Sequence, residues 1–277
     1  LPVFIFLLVS AFSPIWANEA HAKSPFPKIF GFSKDDFFGK KEITVENKNT
    51  WKWNNGKKNE DKGEVKSKEK KKPKNISDLK EIEKQAEYAS RITGVRKEYL
   101  MGMLVVETDL GRNTGQCTYK EVEDGAIAAH ESGNLSTRAW ETFQDRRNMI
   151  KELADTLGYD PEDLKVSCNP AQDVYSGTGG AMGVPQFMPD TWLEYKDRLS
   201  ALTGKENPDP WDIHDGVLAM ALKLADVPGV KEHNIWSEMA ASKMYLSGTT
   251  SWRYDWYAQN AQYWARNYNT LFNNVNG

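Results

Sequence analysis

Cysteine and histidine are scarce in this chain of 277 residues, which has two Cys and four His. Neither type recurs at metal-ligand spacing, so a metal centre has little support. Beyond the first residues, no stretch is apolar enough to span a bilayer. Strand patterns are rare and no internal repeat occurs. An excess of cations is also missing from the larger part. Residues 76–277 carry 20 Lys and Arg against 30 Asp and Glu, whereas residues 1–75 carry 16 against 9. An acidic folded part argues against nucleic acid as its substrate, because phosphate binding needs clustered positive charge.

What is present begins with an apolar run, Leu1 to Val9. Small residues follow, and Ala20-His21-Ala22 fits an A-x-A cleavage site, with Ala17 as an alternative. Residues 1–22 therefore read as a secretory signal without its positive start, against the rival reading of a buried N-terminal helix. Export to the periplasm, cell wall or medium is the expectation, with no transmembrane span left after signal removal. Residues 23–75 are Lys-rich and, in their second half, nearly devoid of apolar side chains. A largely disordered linker is expected there. It acts either as a solvated spacer or through weak attraction to anionic wall polymers or a membrane surface. In an exported protein, Cys117 and Cys168 read as a disulfide or, alternatively, as two buried thiols.

Order is expected from about residue 76 to 271 as a single, mainly α domain, with 272–277 a flexible tail. Leu79, Ile82, Ala86, Ala89 and Ile92 recur at helical spacing, and Thr93-Gly94 ends that helix. A second helix spans roughly 96–109. Residues 116–134 read as a long loop, 136–157 as a helix, and 162–174 as mostly irregular. Pro189 opens another helix. Asp212 caps the next, with Asp215 in the position of a capping-box partner. Two further helices are expected over 236–245 and 254–268.

Two stretches stand out. Glu107 lies where an apolar helix runs out, after Leu104, Val105 and Val106. A carboxyl held against apolar neighbours is poorly solvated and resists ionisation, as a general acid near neutral pH must. The alternative is a surface Glu at a helix end. The second stretch, Gly179 to Trp192, packs three Gly, two Pro, two Met, two aromatics and Gln186 into a short run. It reads as either a tight buried connection or a binding loop.

Taken together, these stretches resemble a known family. Ile92-Thr93-Gly94-Val95, Leu100, Leu104, Glu107-Thr108 and Gly111 resemble the catalytic helix of lytic murein transglycosylases of the SLT/MltB type. The run Gly180-Ala181-Met182-Gly183-Val184-Pro185-Gln186-Phe187-Met188-Pro189, with Thr191-Trp192, is similar to their second signature. Asn207-Pro208, Trp211-Asp212, Asp215 and the Tyr-rich C-terminal part match the later portion. The resemblance spans about residues 80–268. It implies a lysozyme-like α+β fold, with one helical catalytic domain and a substrate groove.

The resemblance further implies that Glu107 is the single catalytic acid/base and that Gln186, Phe187 and Met188 line the sugar groove. Tyr245 and one of Tyr254 or Tyr257 would be the C-terminal tyrosines, one of them bonded near the carboxyl. Relatives place a Ser nine residues before the signature Gln. Here that position is Gly177, flanked by Ser176 and Thr178, either of which can supply a hydroxyl. The segment 112–178 is long and holds both cysteines, so a disulfide would brace it over the groove. The implied substrate is the peptidoglycan glycan strand, cut at the MurNAc-β-1,4-GlcNAc bond with 1,6-anhydro-MurNAc ends. No cofactor is needed, and a monomer is expected. One rival is a lysozyme-type hydrolase using Asp190, Glu194 or Asp173 as a second carboxylate. Another is a non-catalytic peptidoglycan-binding protein.

Overall fold

In the computed structural model, residues 79–169 and 178–273 are described. The segments read as signal peptide and linker lie outside them, as do Asp173, Ser176, Gly177 and most of the C-terminal tail. The first helix, α1 (Leu79–Thr93), buries Leu79, Ile82, Ala86 and Ala89. These residues follow the i, i+3, i+4 spacing that puts apolar side chains on one face. α1 ends where the Thr93 hydroxyl bonds the carbonyl of Ala89 and Gly94 turns to positive φ. α2 (Lys97–Thr108) is buried on almost every side.

α2 can lie so deep because of Gly102. A Cβ at that position would come within 2.3 Å of the carbonyl oxygen of Ala261. Ala261 belongs to α8 (Asp255–Asn267). Any larger residue would force the two helices apart. Tyr99 on α2 donates its hydroxyl to the carbonyl of Glu238, on α7 (Ile235–Ser247), at 2.6 Å. The Glu238 carboxylate is fully buried. It accepts two bonds from Arg96, at 3.0 and 2.8 Å, and one from Gln262 of α8 at 2.7 Å. A buried charge is costly unless paired and hydrogen-bonded, and here both conditions are met. One carboxylate thus ties α2, α7 and α8 together.

The remaining helices are α3 (Tyr119–Glu131), α4 (Thr137–Leu157), α5 (Pro189–Thr203), α6 (Ile213–Ala225) and α9 (Asn269–Asn273), the last running past the expected domain end. α6 is buried nearly all round. α3 corrects the reading of 116–134 as a loop. Thr118 and Glu121 form a reciprocal capping box that starts the helix, and Tyr119, Val122, Glu123 and Ala126 are buried. Asp215 departs from a capping box in the other direction. Asp212 accepts the Asp215 N–H, but the Asp215 carboxylate turns to the Asp209 N–H and Lys205.

The described residues include one small antiparallel sheet, β1 (Cys117–Thr118) with β2 (Lys165–Val166), in register Cys117 to Val166. Cys117 and Cys168 form a disulfide beside it. The segment from Thr178 to Met188 is strapped onto β2 and the residue after it. Ser167 N–H donates to the Ala181 carbonyl, Gly180 N–H donates to the Ser167 carbonyl, and Met182 bridges Val166 and Phe187.

Candidate active site

Glu107 occupies the last turn of α2. Asp109 follows in a left-handed cap and points to solvent, where it pairs with Arg112. Glu107 is only half-buried, yet its carboxyl is enclosed enough to shift. Desolvation raises it from 4.5 to about 7, against the opposing effects of a Tyr257 hydrogen bond and the Lys223 cation. Tyr257 on α8 donates its phenol O–H to Glu107 Oε1. Burial, together with the nearby carboxylate, holds that phenol itself well above its ordinary value, so it remains a donor. The close α2–α8 approach at Gly102 brings this pair together.

The strap supplies a second layer. Gln186 adopts φ +50°, a region rare for a non-glycine residue and a mark of backbone strain. Its side-chain amide donates to the carbonyl of Thr114 at 3.1 Å and to that of Gly183 at 2.7 Å. The strap is thereby fastened to the loop that follows Glu107. Gly183 cannot be replaced without displacement, because a Cβ there would sit 1.8 Å from the Pro210 carbonyl oxygen. Tyr245 donates its hydroxyl to the carbonyl of Pro185.

The site residues expected from the sequence are not all brought together. Glu107 meets Tyr257. Tyr254 lies one turn earlier, in the 3-10 segment Trp252–Tyr254, and does not bond the carboxyl. Phe187 was expected to line the groove, but its ring is only 2% exposed and packs against Tyr195 and Tyr245. The ring thus lies in the interior, between the two tyrosines. Tyr245 is likewise buried. Thr178 and Met188 line a separate small pocket with Tyr119, Phe143 and Arg146; Glu107 is not part of its lining.

Lys223 was not picked out from the sequence. Its ammonium lies 5.0 Å from the Phe187 ring centroid and 4.8 Å from that of Tyr245. Burial lowers its proton affinity, while Glu194, Glu107 and Asp190 act to raise it. A signal existed, since Lys223 is the lone charge between Asp215 and Asp226 in an apolar helix. Asp190 is engaged elsewhere, in a two-bond pair with Arg146 of α4 at 3.1 and 2.8 Å. Burial works to raise its pKa, but Arg146 and the backbone N–H groups of Thr191 and Asp190 together keep Asp190 below its ordinary value. Glu194 is exposed on α5.

Among the described residues, Asp212, His214 and Asp215 form the one grouping with metal-ligand proximity. Lys205 already fills it, at 2.8 Å from both Asp215 oxygens.

A helical domain with a carboxyl held by a tyrosine at the end of an apolar helix, and a glycine-rich strap after it in the chain, has a counterpart among known families. The family model for the transglycosylase SLT domain matches residues 64–236. This chain belongs to that family. The matched range contains Glu107 and the strap and ends before Tyr245 and Tyr257. Among solved structures, it is similar to the Escherichia coli lytic transglycosylase Slt35 in complex with bulgecin A, at 23% identity and TM-score 0.40. That likeness covers 54% of this chain and 42% of the other. It is also similar to the soluble lytic transglycosylase SltB1 from Pseudomonas aeruginosa, at 24% identity and TM-score 0.39, covering 56% and 49%. The chain thus spans less than half the length of these structures. Comparison with curated protein sequences finds no match.

Proposed function

We propose that this chain is a peptidoglycan lytic transglycosylase, exported to act on glycan strands, with Glu107 as its sole acid/base. The observation that carries this reading is the enclosed Glu107 carboxyl, raised to about 7 by desolvation and held by Tyr257. A carboxyl with that value is populated in both protonation states near neutral pH, as a residue that must both give and take a proton requires. Membership of the SLT transglycosylase family supports the reading.

The chemistry follows in two steps. Protonated Glu107 delivers its proton to the glycosidic oxygen between MurNAc and GlcNAc, and the bond to MurNAc C1 breaks. The N-acetyl group of the substrate shares the positive charge that develops at C1. Glu107, now a carboxylate, removes the proton from the MurNAc C6 hydroxyl. The C6 oxygen then bonds to C1 and closes the 1,6-anhydro ring. The Tyr257 O–H steadies the carboxylate between the steps.

Hydrolysis would instead need water and, in the common pattern, a second carboxylate. Asp190 is paired with Arg146, which supports the ring-closing route. Mass analysis of digested peptidoglycan tests this: fragments ending in 1,6-anhydro-MurNAc are expected, and reducing MurNAc ends alone would overturn it. Intact strands that are bound but never cut would favour the binding-protein reading.

A further inference from the structure

From Gly216 to Ala225, α6 is apolar and buried at every position except Lys223, which is half-buried. The Lys223 ammonium lies over the Phe187 ring of the strap and the Tyr245 ring of α7, 5.0 and 4.8 Å from their centroids. Aromatic faces attract a cation but leave its N–H groups without an acceptor. Among the described residues, Lys223 forms no hydrogen bond and no ion pair. A cation withdrawn from water without a paired anion is costly. This sets Lys223 apart from Arg96, Arg146 and Lys205, each bonded to a carboxylate.

Three carboxylates act on Lys223 through space: Glu194 and Asp190 of α5 and Glu107 of α2. Glu194 is exposed, and water and salt screen it. Asp190 is held by Arg146. Of the three, only Glu107 is both enclosed and unpaired with a cation. The ring cradle is also tied to the segment that carries this acid. Tyr245 donates its hydroxyl to the Pro185 carbonyl, and the next residue, Gln186, reaches the Thr114 carbonyl in the loop after Glu107.

Separation matters for the chemistry. A cation bonded directly to Glu107 would hold it ionised and remove the acid. With no cation nearby, desolvation would go unopposed and Glu107 would be a weaker acid. A cation held on rings, near but not bonded, favours the carboxylate left after proton delivery and still permits the protonated form. The phenols facing Glu107 and Lys223, those of Tyr257 and Tyr245, stay neutral because burial holds both well above their ordinary value.

We infer that Lys223 is a positioning residue for the acid: Phe187 and Tyr245 hold its ammonium where it eases proton release from Glu107 without pairing with it. The inference rests on the reading of Glu107 as the acid/base of glycan cleavage.

Carbon-13 NMR titration of the Glu107 carboxyl in the full chain tests it, with the signal assigned by its loss in Glu107→Gln. The pH profile of muropeptide release is measured in parallel. Lys223→Met removes the charge and keeps a long apolar stem. Its Glu107 titration should move up by about half a unit to one unit, and the alkaline limb of cleavage should move with it. Below that limb the rate should fall about two- to fivefold, because a weaker acid protonates the glycosidic oxygen less readily. Lys223→Arg keeps the cation and its stacking on rings, and should leave both titration and limb in place. Lys223→Gln is a second uncharged variant and should repeat the shift even if Lys223→Met fails to fold. An unmoved Glu107 titration in the uncharged variants overturns the inference. So does an equal shift in Lys223→Arg, which would make packing rather than charge responsible, or a shifted titration with an unmoved limb. If the titration shifts as expected but the unsubstituted chain releases no muropeptides, the link between Lys223 and Glu107 stands and the glycan-cleaving reading falls.

Discussion

α2, α7 and α8 meet through close apolar packing around one buried carboxylate, whereas α3, α4 and α5 are joined by ion pairs, with a disulfide beside them. In the first region Gly102 admits the α8 backbone, and Glu238 gathers Arg96, Gln262 and, through its carbonyl, Tyr99. In the second, Cys117 joins Cys168, Arg146 pairs with Asp190, and the Glu123 carboxylate draws Arg147 and Lys151. The contrast separates chemistry from support. Desolvation raises a carboxyl where apolar groups displace water, and Glu107, raised in this way, sits at the edge of the tightly packed region. The strap, which has neither a cysteine nor a charge, is placed by hydrogen bonds to Ser167, Thr114 and Tyr245.

The largest expected effect comes from removing the acid. Glu107→Gln should lower the rate of peptidoglycan cleavage about 10³-fold, measured by release of soluble muropeptides; near-normal release would remove Glu107 from its role. The same variant has a stability signature. Because the folded value lies above the unfolded one, the native state binds more protons between about 4.5 and 7. Stability therefore falls as pH rises through that window. Glu107→Gln should stabilise the fold at pH 8 by up to about 3 kcal/mol and have no such effect at pH 4. Equal melting shifts at both pH values would contradict the raised value.

In the support region, Cys117→Ser with Cys168→Ser opens a loop of 51 residues. The chain-entropy argument gives a loss of about 4 kcal/mol, read by denaturant unfolding. The damage should centre on α3 and the strap, with hydrogen exchange at α2 and α8 little changed. In the packed region, Glu238→Ala leaves Arg96 and Gln262 without their partner and should cost about 3 kcal/mol. Here exchange should rise at α8 and activity should fall with it. If the two variants gave the same exchange pattern, the division into two regions would be wrong.

Smaller effects sharpen the picture. Tyr257→Phe removes a donor to the Glu107 carboxylate, so the carboxyl should rise further and the alkaline limb of the rate profile should move up. The rate at neutral pH should drop about tenfold. An unmoved limb would show that the phenol does not bond the acid during turnover. Asp190→Asn should weaken only its pair with Arg146, costing about 1 kcal/mol, and the anhydro product should persist. A loss of cleavage as deep as that of Glu107→Gln would make Asp190 the second carboxylate of a hydrolase.

Much of the helical frame was legible, because an amphipathic helix writes its buried face into local spacing, as in α1. α3 was not. Its box of Thr118 and Glu121 was present, but Gly125 and several charged residues masked a buried face of only four residues, Tyr119, Val122, Glu123 and Ala126. The roles of aromatics were also hidden. Phe187 and Trp256 look alike in composition, yet one is packed between two tyrosines and the other stands in solvent.

The sequence alone determined a mainly helical domain, an acid at the end of an apolar helix, and a glycine-rich strap in the right order. These depend on short-range patterns: periodicity, caps and backbone permission. The tertiary structure decided that Tyr257 rather than Tyr254 reaches Glu107, that Lys223 stands over two buried rings, and that Asp190 is spent on Arg146. Each depends on which faces of distant helices meet, and no local pattern encodes that. The raised carboxyl was legible in the apolar residues before Glu107, but the Tyr257 and Lys223 that oppose the shift were not.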